Sequence, residues 1–237
     1  MTVDTGDQGQ PQINFTLRKR IIWDWRKLLG YIAAGYDSRV IAAKMGIAVA
    51  TLYTRLGYIR EALDTNKLPG ATALATSLEL IELPQKQQEA CRRARWGELS
   101  PLQHAIHELR ALSFTQTVST TMLTPMLNGK ALKSLYRSAL PLLGVKYDIE
   151  HHVSAMWALA GGIKRLHEPS PLERSVLTGL ALGDKMVASR LLGADANEHY
   201  RLSDRGIALL CRSAARKLNV APDDVVAVAV RDGWVTL

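Results

Sequence analysis

The feature that most restricts this chain is a recurring order of short amphipathic helices set around small turns. Between residues 17 and 34, Ile21, Ile22, Trp25, Leu28, Leu29 and Ile32 fall at i, i+1, i+4, i+7, i+8 and i+11. That spacing marks one face of an α-helix. Arg18, Lys19, Arg20, Arg26 and Lys27 fall mostly off that face. Gly35 is placed to stop the helix. Asp37 or Ser38 can N-cap a short second helix carrying Val40, Ile41, Ala42 and Met45. Gly46 then supplies a turn that needs a permissive backbone. A third helix over 48–63 aligns Leu52, Leu56, Ile59 and Leu63 on one side. It leaves Thr51, Tyr53, Thr54, Arg55 and Tyr58 for solvent or a groove. Helix, short helix, glycine turn, helix is a helix-turn-helix arrangement. The small Ala42 lets the two helices cross closely.

The outline returns twice. Residues 169–191 read PSPLERSVLTGLALGDKMVASRL, residues 203–220 read SDRGIALLCRSAARKLNV, and a last helix is expected over 222–235. Here the scaffold helix is shortened after Gly183. The turn GADANEHYRLS (193–203) is longer than in the first copy. A weaker middle copy opens at Leu99-Ser100-Pro101, continues as NGKALKSLYRSALPLLGV over 128–145, and takes a last helix from 148–163. Its scaffold helix over 115–123 is rich in Ser and Thr. Pro141 lies inside the expected third helix and should end or kink it near Leu140. The third helices start at Ala48, Asn128 and Ser203, 80 and 75 residues apart, so three units fill the 237 residues.

The run GYDSRVIAAKMGI (35–47), followed by ATLYTRLGYIREAL with its Thr51-Leu52 pair, resembles the DNA-binding domain of the LuxR/NarL class. That family reads G-L-S-N-K-E-I-A-x-x-L-G-I-S, then a recognition helix and K-L-G-V. Asp64-Thr65 stands where the family has Gly-Val. The third copy is similar to the family's L-T-P-R-E-x-E-V-L opening and to its K-L-G-V end. The resemblance implies an all-α fold of three tandem, four-helix helix-turn-helix domains with helical linkers. The expected division is a flexible tail at 1–16, a first domain at 17–64 and a linker with a basic helix at 65–98. A second domain at 99–166 and a third at 167–237 follow. It also implies that the fourth helices (148–163 and 222–235) form a dimerisation surface. They would pair within one chain, mimicking a dimer, or between chains in a homodimer.

The formal net charge of +8 suggests a polyanionic partner only if it is concentrated. Residues 18–60 carry +7, residues 83–96 carry +3 and residues 100–166 carry +4, whereas residues 167–237 are neutral. The resemblance places base-reading positions at Tyr53, Thr54 and Gly57 in the first unit. They fall at Lys133, Ser134 and Arg137 in the second, and at Ala208, Leu209 and Arg212 in the third. Tyr53 and Thr54, with Thr51, Arg55 and Tyr58 beside them, can hydrogen-bond base edges or phosphate. A small Gly57 allows close approach. Ser38 and Arg39, at a helix N-terminus, suit phosphate. Lys133 and Arg137 lie one turn apart with Lys130 before them, and Lys and Arg are the usual partners of guanine edges. Arg92, Arg93 and Arg95 give the linker helix a basic side for a DNA backbone. In the third unit Leu209 is expected to be exposed and to mark a protein-contact surface, and Trp234 is expected to close the unit's last helix or to sit in such an interface.

These residues predict a sequence-specific, double-stranded-DNA-binding regulator of transcription. The setting expected is the cytoplasm and nucleoid of a bacterium, or a mobile element. A second reading is a protein-binding antiactivator, or an adaptor for RNA polymerase related in layout to sigma factors. A third is an architectural nucleoid protein. His104 with His107 and the adjacent His151-His152 lack the further ligands that a metal site needs. Cys91 and Cys211 form no disulfide framework. No phosphate-binding glycine loop, nucleophile elbow or paired catalytic carboxylates stand out, so no cofactor and no enzymatic activity are expected. No apolar run is long enough for a membrane span.

Overall fold

A computed structural model describes residues 24–63, 65, 67–145, 150–160, 168–195 and 198–236. The expected tail at 1–16, the start of the first helix with Arg18, Lys19 and Arg20, and residues 161–167 lie outside the described residues. Among the described residues the fold is all-α: thirteen α-helices, one short 3-10 turn and one two-stranded sheet. No single helix there is long and apolar enough to cross a membrane.

The helices come in three sets of four, with one helix between the first two sets. The first set is α1 (Asp24–Ala33), α2 (Ser38–Met45), α3 (Val49–Ala62) and α4 (Leu68–Ser77). Helix α5 (Gln85–Arg93) and the 3-10 turn Trp96–Glu98 follow. The second set is α6 (Pro101–Ala111), α7 (Gln116–Met122), α8 (Gly129–Ala139) and α9 (Glu150–Leu159). The third is α10 (Pro171–Ala181), α11 (Lys185–Ser189), α12 (Asp204–Leu218) and α13 (Val225–Arg231).

Local chemistry sets most of these boundaries. Asp37 caps α2 by accepting from the Arg39 and Val40 amides at 2.8 and 3.1 Å. Gly46 ends α2 in the left-handed conformation (φ 64°), which a side chain would disfavour. Ser100 and Ser170 open α6 and α10 with reciprocal capping boxes, each followed by Pro at the helix start. Helix α8 stops at Ala139. Pro141 has no amide to offer the Arg137 carbonyl, and Leu140 takes that bond instead at 3.1 Å.

The linker expected over 65–98 holds, besides its basic helix, the buried helix α4. Its residues Gly70–Ala73, Ala75 and Thr76 are all buried. Small side chains let α4 lie close against α9, where Val153–Ala158 are buried, and this is the most extensive helix pair among the described residues. The Thr72 hydroxyl lies 2.9 Å from the His151 carbonyl. Two further polar ties reach α9. His152 Nδ1 sits 2.7 Å from the Ala33 carbonyl, and the Cys91 thiol donates to the Met156 carbonyl at 3.3 Å. The last helix of the middle set is therefore covered by α4, α6, α5 and α1 within the same chain.

The second and third sets share one core. Leu102, Ile106, Leu109, Leu132, Tyr136 and Trp157 belong to the same buried cluster as Leu172, Val176, Leu202, Ile207 and Leu210. A sheet links them: β1 (Leu123–Thr124) pairs antiparallel with β2 (Arg201–Leu202), Leu123 opposite Leu202 and Thr124 opposite Arg201. Glu108 of α6 accepts from the Leu172 amide at 2.8 Å and so caps α10 from the neighbouring set. Beneath it Glu173 is fully buried and paired with Lys217 of α12.

Candidate nucleic-acid interface

Helices α2 and α3 are joined by three residues, Gly46, Ile47 and Ala48, and bend by 96° at the join. Ile41 and Ala42 of α2 and Leu52, Leu56 and Ile59 of α3 are buried against Leu28, Leu29 and Ile32 of α1. This fixes which side of α3 faces out. At 3.6 residues per turn, Ala50, Thr54, Gly57, Tyr58 and Glu61 form the ridge opposite the buried one. Tyr58 is 57% exposed, and Ala50, Thr51, Thr54 and Glu61 are exposed too.

The expected contact residues of this unit divide by position. Thr54 stands on the outward ridge, where its hydroxyl donates to the Ala50 carbonyl at 3.2 Å and keeps lone pairs outward. Tyr53, 56% exposed, leans to one flank and donates to Ser38 Oγ at 3.2 Å, which joins two predicted residues from different helices. Arg55 is half-buried on the other flank. Arg39 is exposed. The amide end of α2 does not fit the phosphate role expected of it. The Asp37 carboxylate already takes two of its free donors and sets a negative charge there. The start of α3 is different: Ala48 provides no side-chain cap, and Val49 and Ala50 are exposed. Lys44, at the end of α2, lies over the Tyr36 ring at 5.2 Å.

In the second unit, Lys130, Lys133, Ser134 and Arg137 are all exposed on the face of α8 opposite the buried Leu132, Tyr136 and Ala139. The turn before α8 is longer than the first unit's, because residues 123–128 include β1. On α5 and the turn after it, Arg92 and Arg93 are exposed, while Arg95 pairs with Glu98 at 2.9 Å and its amide donates to the Leu142 carbonyl. The basic helix is thus fastened to the middle set.

The third unit corrects one expectation. Leu209 is half-buried against the central core, because α12 packs on α7 of the neighbouring unit as well as on α10. Trp234 is also half-buried and closes the third unit's own core, with the Arg174 guanidinium 5.1 Å from its ring centroid. Leu209 does not present the open protein-contact surface expected. The first turn of α12 is occupied as well. Ser203 donates its amide to the Met122 carbonyl and its hydroxyl to the Thr121 carbonyl, both at 2.8 Å. A Cβ at Gly206 would lie 2.4 Å from the Met122 oxygen. Sequence reasoning passed over Arg205 and Arg216, which are exposed on this helix together with Arg212. Their i, i+7, i+11 spacing was the signal.

His104, His107, His151 and His152 belong to packed regions. His107 is buried, stacked near Trp157 and Tyr136, and desolvation, with His104 and Arg110 nearby, pushes its pKa down to about 3. His151 is lowered to about 4 by burial and by His152. Glu108 is raised to about 7, chiefly by burial, although its bonds to Ser170 and Leu172 pull it down. Burial raises the Cys91 and Cys211 thiols. Among the described residues no group of three or more His, Cys, Asp or Glu is placed to hold a metal ion. Comparison with protein-family models, with curated proteins and with solved structures gave no match to this chain.

Proposed function

We propose that this protein is a sequence-specific, double-stranded-DNA-binding regulator of transcription, built from tandem helix-turn-helix units and acting in the cytoplasm on the nucleoid. The observation that carries the reading is the join of α2 to α3. A three-residue turn with a left-handed glycine sets two helices at 96° over a common core. That is the geometry with which a second helix enters a major groove. Helix α3 presents Thr54 and Tyr58 from its ridge, and Tyr53 and Thr51 from its sides. Exposed Val49 and Ala50 at its start suit thymine methyls. Helix α8 presents Lys130, Lys133 and Arg137 for guanine edges or phosphates, and Arg92 and Arg93 add backbone contacts.

The pairing of α4 with α9 supports a chain that serves as its own dimer. Two readers held in one body act at high effective concentration, so each binds weakly alone. Half-sites one helical turn apart, about 34–36 Å, are the geometric expectation.

A second reading, an adaptor or antiactivator that binds RNA polymerase or another regulator, draws on one observation. Leu182 and Met186, at the corner of α10 and α11, are 55% and 59% exposed. Salt dependence separates the two. For the full chain, replacing Lys130 and Lys133 with Ala should lessen the loss of duplex affinity between 50 and 200 mM salt by about 12-fold, at a slope of about 0.9 per phosphate contact. Duplex binding that does not respond to salt would refute the DNA reading.

A further inference from the structure

Counted by residues, the third unit is neutral, but its charge is segregated in space. On α12 the buried side consists of Gly206, Ile207, Leu210, Ser213, Ala214 and Ala215. Opposite it stand Arg205, Arg212 and Arg216, all exposed. At 3.6 residues and 1.5 Å per residue these three fall within about 40° of one another around the axis. They are spaced by about 10 and 6 Å along it. None has an ion-pair partner among the described residues, where the ion pairs of this unit are Lys217 with Glu173, Lys185 with Asp204, Arg174 with Glu168, and Arg231 with Asp232. Asp204, the acid nearest the stripe on this helix, is held by Lys185 at 3.2 Å.

The first turn of α12 is closed to a groove by Met122 and Ser203, so this helix has only its length to offer. We propose that the arginine stripe of α12 binds the phosphate backbone of duplex DNA, with the helix lying along a strand. It is a third nucleic-acid contact, alongside α3 and α8. The stripe has the form of a contact that positions and does not specify: three planar forks, with the small Ala208 and the half-buried Leu209 between the first and the second. An acidic peptide fits it less well. Leu209, the nearest large apolar side chain, is turned into the core and leaves no anchor. The proposal rests on the DNA-binding reading above and extends it to a unit whose net charge argued against it.

The test uses the full chain with Arg205, Arg212 and Arg216 replaced together by Ala, which suits an exposed helix face, so unchanged thermal melting is expected. Fluorescence anisotropy with a mixed-sequence duplex is read from 50 to 200 mM salt. Three lost phosphate contacts predict that the wild type loses about 40-fold more affinity than the variant over this range. The Lys130→Ala, Lys133→Ala protein serves as the comparison. If that protein shows a reduced salt slope and the α12 variant keeps the wild-type slope, the stripe is overturned and the DNA reading stands. If the wild type binds no duplex, both fail. If polyglutamate binds the wild type and not the α12 variant, with the DNA slope unchanged, the stripe belongs to an acidic protein partner and the proposal is overturned.

Discussion

The same substitution, Gly to Ala, should have opposite effects on stability at two helical positions. At Gly206, in the first turn of α12, an added Cβ lies 2.4 Å from the Met122 oxygen and 3.2 Å from its carbonyl carbon and Cα. The obstacle is backbone, so no rotamer change relieves it. The helix must move by most of an ångström away from a segment fixed by the Leu123–Leu202 pairing. That movement strains or breaks the bond from the Ser203 amide to Met122, worth about 1 kcal/mol. It also overpacks a shared core, at about 1–3 kcal/mol. The intrinsic helix gain of Ala over Gly, up to about 1 kcal/mol, offsets part of this. The net expectation is a loss of about 1–3 kcal/mol. At Gly57, on the outward ridge of α3, a Cβ meets nothing within 4 Å. Gly57→Ala should therefore gain up to about 1 kcal/mol in stability while weakening duplex binding, because the methyl group holds α3 off the groove. Urea denaturation followed by far-ultraviolet circular dichroism reads both variants. A Gly206→Ala protein as stable as the wild type would refute the docking of α12 on α7, and with it the closed first turn.

Other substitutions probe the buried polar and small-residue contacts. Ionisation of Glu108 is penalised in the folded protein, where its pKa is about 7 against an ordinary 4.5. The wild type should lose stability relative to Glu108→Gln as pH rises through this window, by up to about 3 kcal/mol. Parallel urea titrations at pH 4.5 and 7.5 would show a constant difference if the carboxyl were solvated. His107, held neutral down to about pH 3, acts in the other direction. The unfolded chain takes up protons below about 6.5, so stability is lost as pH falls from there. A His107→Phe protein should lose less between pH 6.5 and 4, and equal losses would contradict the burial. Ala73→Leu places a larger side chain at a fully buried position on α4, in the shared core, and should cost about 1–3 kcal/mol in the same urea assay. A neutral result would mean that α4 is not enclosed.

The helices most legible in the sequence were those with a single buried side and a chemical stop. Leu52, Leu56 and Ile59 identify the inner side of α3. Asp37, Gly46 and Pro141 mark the boundaries where the structure has them. Helix α4 was hidden because Ala and Thr are buried nearly all round it, which leaves no amphipathic stripe. Pro69 sits in the first turn of α4, a position that Pro favours. The burial of Leu209 depends on α7 of another unit, and the spacing of residues along α12 carries no trace of that contact. The charge census summed a unit in which arginines line one side of a helix while the acids lie off that side, so its total of zero concealed the stripe. Within the candidate interface, the exposed positions of α8 were readable from helical phase. The hydrogen bond from Tyr53 to Ser38 needed the 96° bend to bring the two residues together.

The central claim, that the chain reads duplex sequence through α3, is tested most directly by selecting bound duplexes from a random pool with the full chain. A parallel selection would use a Thr54→Ala, Tyr58→Ala protein. Reading through α3 requires enrichment of one motif by the wild type and loss or relaxation of part of that motif in the variant. A wild-type selection that enriches no motif, or an identical motif from both proteins, would contradict it.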